Sequence, residues 1–451
     1  MTRRIAKVVA WILGSVGGLG TLLYGVLLVV NWNDTPPSEA ALRFEALYRD
    51  RPAVADASNA YVYALGFEVD PDGDPLTTGI KRKQWLVESA AEGMYETRAD
   101  PLDRAYDYKR ARVEELATFL AECRQARLLC GESMRAHKEL MARWLESEQW
   151  LLQRYLALLD HPGWRELLFD ERAPLLSFQP VMDGQLLLFA KAGDLVAKRQ
   201  LTAASDLLAR DLAFWRRVIE SSDNLITNMR STGAISRHFA LGSSLLRGLS
   251  AAEIDEVVPP NWRSSITDAE RSLRRAYVGE WQFSSRMLRD PRLADNDGAN
   301  ILIVHPYQSQ ATINDSAEFL NALADTLDVP IAKYPDALDA ARELAQARGN
   351  KAMSLRAAYN PAGKALIAIA AVAYPGYSAR VNDLEGLRRL TLVFADLRRT
   401  ALPRNAVARA LDNHELRNPY TNQPFEWDEK DGSVVFNGLA EGERGRYAVR
   451  Y

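Results

Sequence analysis

Two cysteines and five histidines are the whole supply of thiols and imidazoles in this chain. The histidines, His137, His161, His238, His305 and His414, make no H-x-x-x-H, H-E-x-x-H or Cys/His spacing, so no zinc site is legible. No G-x-S-x-G occurs, and LGSSLLRG at Leu241 to Gly248 lacks the nucleophile-elbow pattern. The phosphate-cradling patterns G-x-x-x-x-G-K-[ST] and G-x-G-x-x-G are missing from the polar part of the chain, and the glycines from Gly14 to Gly20 sit in an apolar run. No cofactor is expected. An excess of one charge is lacking too: 56 basic residues face 59 acidic ones, a net charge of −3. Such a chain has no global field to gather nucleic acid. Long apolar runs are absent with one exception, since the next candidate, ALIAIAAVAY at Ala365 to Tyr374, ends at Pro375-Gly376 and reads as a buried helix too short to cross a membrane.

The exception is VVAWILGSVGGLGTLLYGVLLVV, Val8 to Val30, which carries no charge. As a helix rising about 1.5 Å per residue it covers roughly 34 Å, enough for a hydrocarbon core of about 30 Å with a modest tilt. A cleaved signal peptide has a shorter apolar core followed by a small-x-small site; here NWNDTPP follows, so an uncleaved anchor is expected. Arg3, Arg4 and Lys7 precede the run and the first basic residue after it is Arg43, which places the N-terminus in the cytoplasm. The expectation is a single-pass inner-membrane protein with its bulk in the periplasm. Trp11 and Trp32 suit the aromatic belts at the two interfaces. Gly14, Gly18, Thr21 and Gly25 share a face where a second helix could pack closely, which allows a homodimer through the anchor.

In an oxidising compartment the pair Cys123 and Cys130 is expected to form a disulfide. Seven positions of continuous helix would hold their Cα atoms roughly 10 Å apart, beyond the reach of about 7 Å that a bridge tolerates. The chain must therefore turn between them. Gly131 and the fresh periodicity from Met134 onward agree, giving a stapled helical corner worth about 2 to 3 kcal/mol. Two buried thiols are one alternative, and a redox pair, for which the C-x-x-C spacing is absent, is the other.

Apolar residues elsewhere return mostly at threes and fours, for example Leu140, Met141, Trp144, Leu145 and Leu151, or Leu208, Leu212, Trp215 and Ile219. The fold class expected is mainly α, an irregular multi-helix array or solenoid-like bundle. The stretch at Lys191 to Leu212 has a tetratricopeptide-like texture, but no second copy follows at about 34 residues. A small C-terminal β-hairpin is expected from Phe425 to Trp427 and Val434 to Phe436, joined by the turn Asp428 to Gly432. The divisions read as a cytoplasmic tail (1–7), the transmembrane anchor (8–30), a stalk and first helix (31–52), a helical body (53–290), an irregular linker (291–315), a second helical unit (316–411) and a β-rich tail (412–451). Asn314 or Asp315 is expected to cap the helix from Ser316, and Asn360 the one from Pro361. SNAYVYALGF suits a strand or a buried helix. The acidic DPDGDP after it puts Pro75 and Lys81 where an EF-hand needs Gly and Glu, and is expected to be a solvated turn. Glu146, Glu148 and Glu280 are carboxylates near tryptophans on amphipathic helices, expected on solvated faces; none is nominated as catalytic.

The N-terminal span, SNAYVYALGF and the late PYTNQPFEWD together resemble a family of single-pass envelope proteins of proteobacteria with no assigned activity. The tail also resembles the D-P-[FY]-x-G-x-P-[FL] turn of various secreted bacterial proteins, with Asn418 and Asn422 where Asp and Gly are usual. The resemblance implies no functional residues. The expectation is a non-enzymatic, membrane-anchored periplasmic protein that binds an envelope protein as an adaptor, assembly factor or inhibitor. The alternative is an envelope hydrolase acting on cell-wall glycan through an active site that carries no motif. A lipid-binding helical shell is a third reading.

Overall fold

The computed structural model describes residues 2–92, 95, 98–102, 105–107, 112–125, 130–167, 172–289, 307–352 and 358–451. Most of the expected linker, with the short apolar run Ile301 to Val304 and His305, lies outside the described residues. The chain is mainly helical, as expected. Helix α1 (Thr2–Val30) contains a span, Ala10–Val30, long and apolar enough to cross a membrane, and none of it is buried. Then come α2 (Glu39–Arg49), α3 (Ala60–Leu65) and α4 (Pro75–Glu92). SNAYVYALGF is thus helical where it was open between helix and strand, and every residue of α3 is buried. Helices α3 and α4 cross at backbone contact: a Cβ on Gly79 would stand 1.9 Å from the Val62 carbonyl oxygen, so only glycine fits.

Helices α5 (Glu114–Gln125) and α6 (Cys130–Ala136) meet at the disulfide-distance pair Cys123 and Cys130, whose Cα atoms are 4.6 Å apart. Helices α7 (Lys138–Ser147) and α8 (Gln149–Asp160) lead to the long trio α9 (Gln179–Ala197), α10 (Leu201–Ser221) and α11 (Leu225–Leu245), which pack in chain order. The break between α9 and α10 falls at Arg199, in the left-handed region at φ 59°. Helices α12 (Ala251–Val257) and α13 (Asp268–Arg271) both open with a capping box, Ser250 with Glu253 and Thr267 with Glu270. There follow α14 (Arg274–Leu288), α15 (Ser309–Leu327), α16 (Tyr334–Ala352), α17 (Pro361–Ala371) and α18 (Tyr374–Arg399), then α19 (Val407–Asp412). Asn360 caps α17 as expected, its side chain accepting from the Gly363 amide with Pro361 at the first position.

Helix α18 is the axis of the body. Buried along most of its length, it packs on α11, α12 and α16, and one apolar cluster runs through all of them. The expected hairpin is a three-stranded antiparallel sheet in the order β1 (Glu426–Asp428), β2 (Ser433–Asn437), β3 (Arg446–Arg450). The third strand escapes the pattern because RYAVR reads as charged, and only Val449 on it is buried. Gly386 on α18 lets the sheet dock, since its absent Cβ would sit 2.0 Å from the Phe436 ring. Asp383 completes the contact by accepting from the Leu439 and Ala440 amides and the Tyr420 hydroxyl. Burial lifts this carboxyl to about 6.

Two expectations are corrected. The helix expected from Ser316 starts at Ser309, so Asn314 lies inside α15 and caps nothing there. It faces the segment leaving α1: its side chain accepts from the Ser38 amide at 2.9 Å and donates to the Pro36 carbonyl at 2.8 Å. The true cap comes from outside the helix, as Asp34 accepts from the amides of Gln310 and Ala311 at 2.6 and 2.9 Å. Asn31 extends the clamp, accepting from the Asn360 amide at 2.6 Å and donating to the Ala358 carbonyl at 2.7 Å. Second, Ala365 to Tyr374 is no buried helix. Only Gly363, Ile367, Ala368 and Ala371 of α17 are buried, while Ile369 is 77% exposed. Local hydropathy marks a helix but says nothing of how many sides the fold covers.

Candidate functional site

A groove of about 480 Å³ lies between the N-terminal turns of α11, the middle of α14, the loop before α9 and the start of α18. Its walls are Ala173, Leu175, Leu225, Ile226, Met229 and Phe283; Arg230, Glu280, Tyr377 and Arg380 supply the polar groups. Leu175 and Ile226 stand out into it, 66% and 44% exposed. The Arg380 guanidinium lies over the Tyr377 ring at 5.3 Å. Asn224 starts α11 by accepting from the Ile226 amide, which fixes the wall that Ile226 and Met229 present one turn apart.

A smaller cavity of about 60 Å³ shares Ala173, Leu175, Asn224, Ile226 and Phe283 with the groove and reaches down to Tyr61, Thr227 and Glu166. Glu166 is buried. It accepts from the Asp223 amide at 2.8 Å and from the Thr227 hydroxyl. Burial, reinforced by nearby Asp223, pushes its carboxyl up to about 7. Asp223 keeps its charge company with Arg51 and with Arg275 at 2.7 Å. Glu280 accepts from the Leu225 amide at 3.2 Å, and burial raises its carboxyl above the usual range. The groove thus joins apolar walls, a cationic rim and, in Glu280, a carboxyl that holds its proton more tightly than in water, a lining suited to an apolar segment with acidic groups.

The named carboxylates part company. Glu146 is exposed, as expected. Glu148 is not on a solvated face: it is buried and takes both arms of Arg112 at 2.7 and 2.8 Å, and Arg112 also reaches Asp183 at 2.7 Å. Glu280 likewise leaves the solvated face and lines the groove. In the acidic turn, the carbonyls of Phe67, Val69, Asp70, Pro71 and Gly73 converge on the Arg154 guanidinium, which occupies the position a cation would take. Among the described residues no group of three His, Cys, Asp or Glu could hold a metal. Gly14, Gly18 and Gly25 meet nothing within 4 Å in the single chain, and Thr21 bonds its own helix at Gly17.

A buried polar network escaped sequence reasoning. Asp211 accepts from Tyr155 at 2.5 Å, from Gln185 at 3.1 Å and from His238 Nδ1 at 2.7 Å; Trp262 donates to His238 Nε2 at 2.7 Å. The tryptophan bond leaves the ring hydrogen on Nδ1, facing the carboxylate. His238 and Asp211 are 0% exposed, and through them the network ties four helices together in the core. Its members are scattered over α8, α9, α10 and α11 and beyond, and no spacing announces them. No family model, curated protein or solved structure matches the chain.

Proposed function

We propose that this is a single-pass inner-membrane protein, N-terminus cytoplasmic and body periplasmic, that binds a segment of another envelope protein in the groove between α11, α14 and α18. The observation that carries the reading is the outward placement of Leu175 and Ile226 beside Arg230 and Arg380. Exposed apolar side chains framed by arginines fit a segment with apolar anchors and acidic flanks. The test is a photo-crosslinking amino acid at Ile226 in cells, with Lys430 on the tail as the distant control. One reproducible envelope adduct at Ile226, absent at Lys430 and lost in Arg230→Glu, supports the groove; an adduct indifferent to position or charge refutes it.

The hydrolase remains a second reading because Glu280, held above the usual carboxylate range, lines the groove with Phe283 and Tyr377, and Glu166, raised as well, lines the smaller cavity that shares Phe283 with it. A glycosidase needs one acid protonated near neutrality. Release of soluble fragments from purified cell-wall glycan, abolished by Glu280→Gln, would establish it. Intact glycan after prolonged incubation removes it.

A further inference from the structure

Helix α17 turns an unbroken apolar face outward. Ala365, Leu366, Ile369, Ala370, Val372 and Ala373 are all exposed, at the spacing of one helical face, and Val372 continues the helical conformation at φ −62°, ψ −28°. Leu366, Ile369 and Val372 are 47%, 77% and 67% exposed. The opposite face, with Gly363, Ile367 and Ala371, packs on α15 and α16. The helix is therefore apolar on both its buried and its outward face, whereas an ordinary surface helix puts its charges outward. The start of this helix is bonded to the end of the anchor: Asn31, one residue past Val30, holds the Asn360 amide and the Ala358 carbonyl. Trp32, 81% exposed, marks the same level, and the Tyr359 hydroxyl reaches the Asn33 carbonyl at 3.4 Å. Whichever way α17 points, its eleven residues keep its far end within about 16 Å of that exit. It is too short to cross a bilayer and long enough to lie in one face of it.

We propose that α17 lies in the head-group layer of the membrane that α1 crosses, with the face from Ala365 to Ala373 sunk into lipid. The inference rests on α1 being a membrane anchor. A bilayer is the occupant because the face is continuous with the point where the chain leaves the hydrocarbon and carries no charge that a protein partner would pair.

The experiment uses the full chain, disulfide intact, in vesicles of phosphatidylethanolamine and phosphatidylglycerol, with spin labels at Ile369→Cys, Val372→Cys, Val16→Cys in the anchor and Lys430→Cys on the tail. Collision with oxygen and with a water-soluble nickel reagent reports depth. The expected result is a several-fold higher oxygen-to-nickel ratio at Ile369 and Val372 than at Lys430, approaching that at Val16. A water-like ratio at Ile369 with a lipid-like one at Val16 overturns the inference and leaves the anchor standing. Shielding from both reagents at Ile369 shows a protein on the face and overturns it too. A water-like ratio at Val16 removes the anchor and this inference with it.

Discussion

Asp211 shows how far a single side chain can commit a fold. Its two oxygens collect Tyr155, Gln185 and His238, and none of these donors has water to turn to. Asp211→Ala is expected to cost about 3 kcal/mol or more, because orphaned buried donors forfeit their desolvation, and a fall in thermal midpoint in detergent would measure it. Glu166 carries a pH dependence. Its carboxyl is raised from 4.5 to about 7, so the folded chain binds the proton more tightly than the unfolded one. A raised carboxyl supports the fold below the unfolded value and withdraws that support as pH climbs to the folded value, here from 4.5 to about 7. Relative to Glu166→Gln, the wild-type midpoint is therefore expected to fall over that window and run parallel above it; a difference flat in pH would contradict the assignment. Neither residue was legible beforehand. Asn314 shows why: a local rule reads it as a cap, while the amide it holds lies 276 positions away.

Helices, by contrast, could be read largely from threes and fours, since periodicity is local. What the pattern withholds is the covering of each face, which is how α17 came to be expected inside and stands outside. The staple between α5 and α6 was legible because chain geometry demanded a turn. Replacing Cys123 and Cys130 together by serine is expected to lower stability by about 2 to 3 kcal/mol, read as a shift in thermal midpoint that a reducing agent reproduces in the wild type. The groove was invisible, since its walls come from four distant segments. The docking of β2 on α18 is similarly specific: Gly386→Ala drives a methyl into the Phe436 ring, with a cost of about 1 to 3 kcal/mol. Limited proteolysis should then release the β-rich tail at protease levels that leave the wild type whole.

At the scale of the molecule, the link between α1 and the body is the decisive contact. Asn31, Asp34 and Asn314 replace a free stalk by hydrogen bonds to α15 and to the start of α17. Replacing Asn31 and Asn314 together by alanine is expected to broaden the spin-label distance distribution between Val26 and Lys430 at least twofold without unfolding the body, as checked by circular dichroism. An unchanged width would mean the body is held by packing alone. The same clamp bears on how the proposed partner would reach the groove. Tyr377, on its wall, follows Ala373 by a single turn of chain, so the groove opens next to the far end of α17. On the proposed reading, with α1 in the membrane and α17 in its head-group layer, a ligand diffusing freely outside must strike a fixed shallow layer, whereas one tethered in the same bilayer shares that layer from the outset and searches in two dimensions.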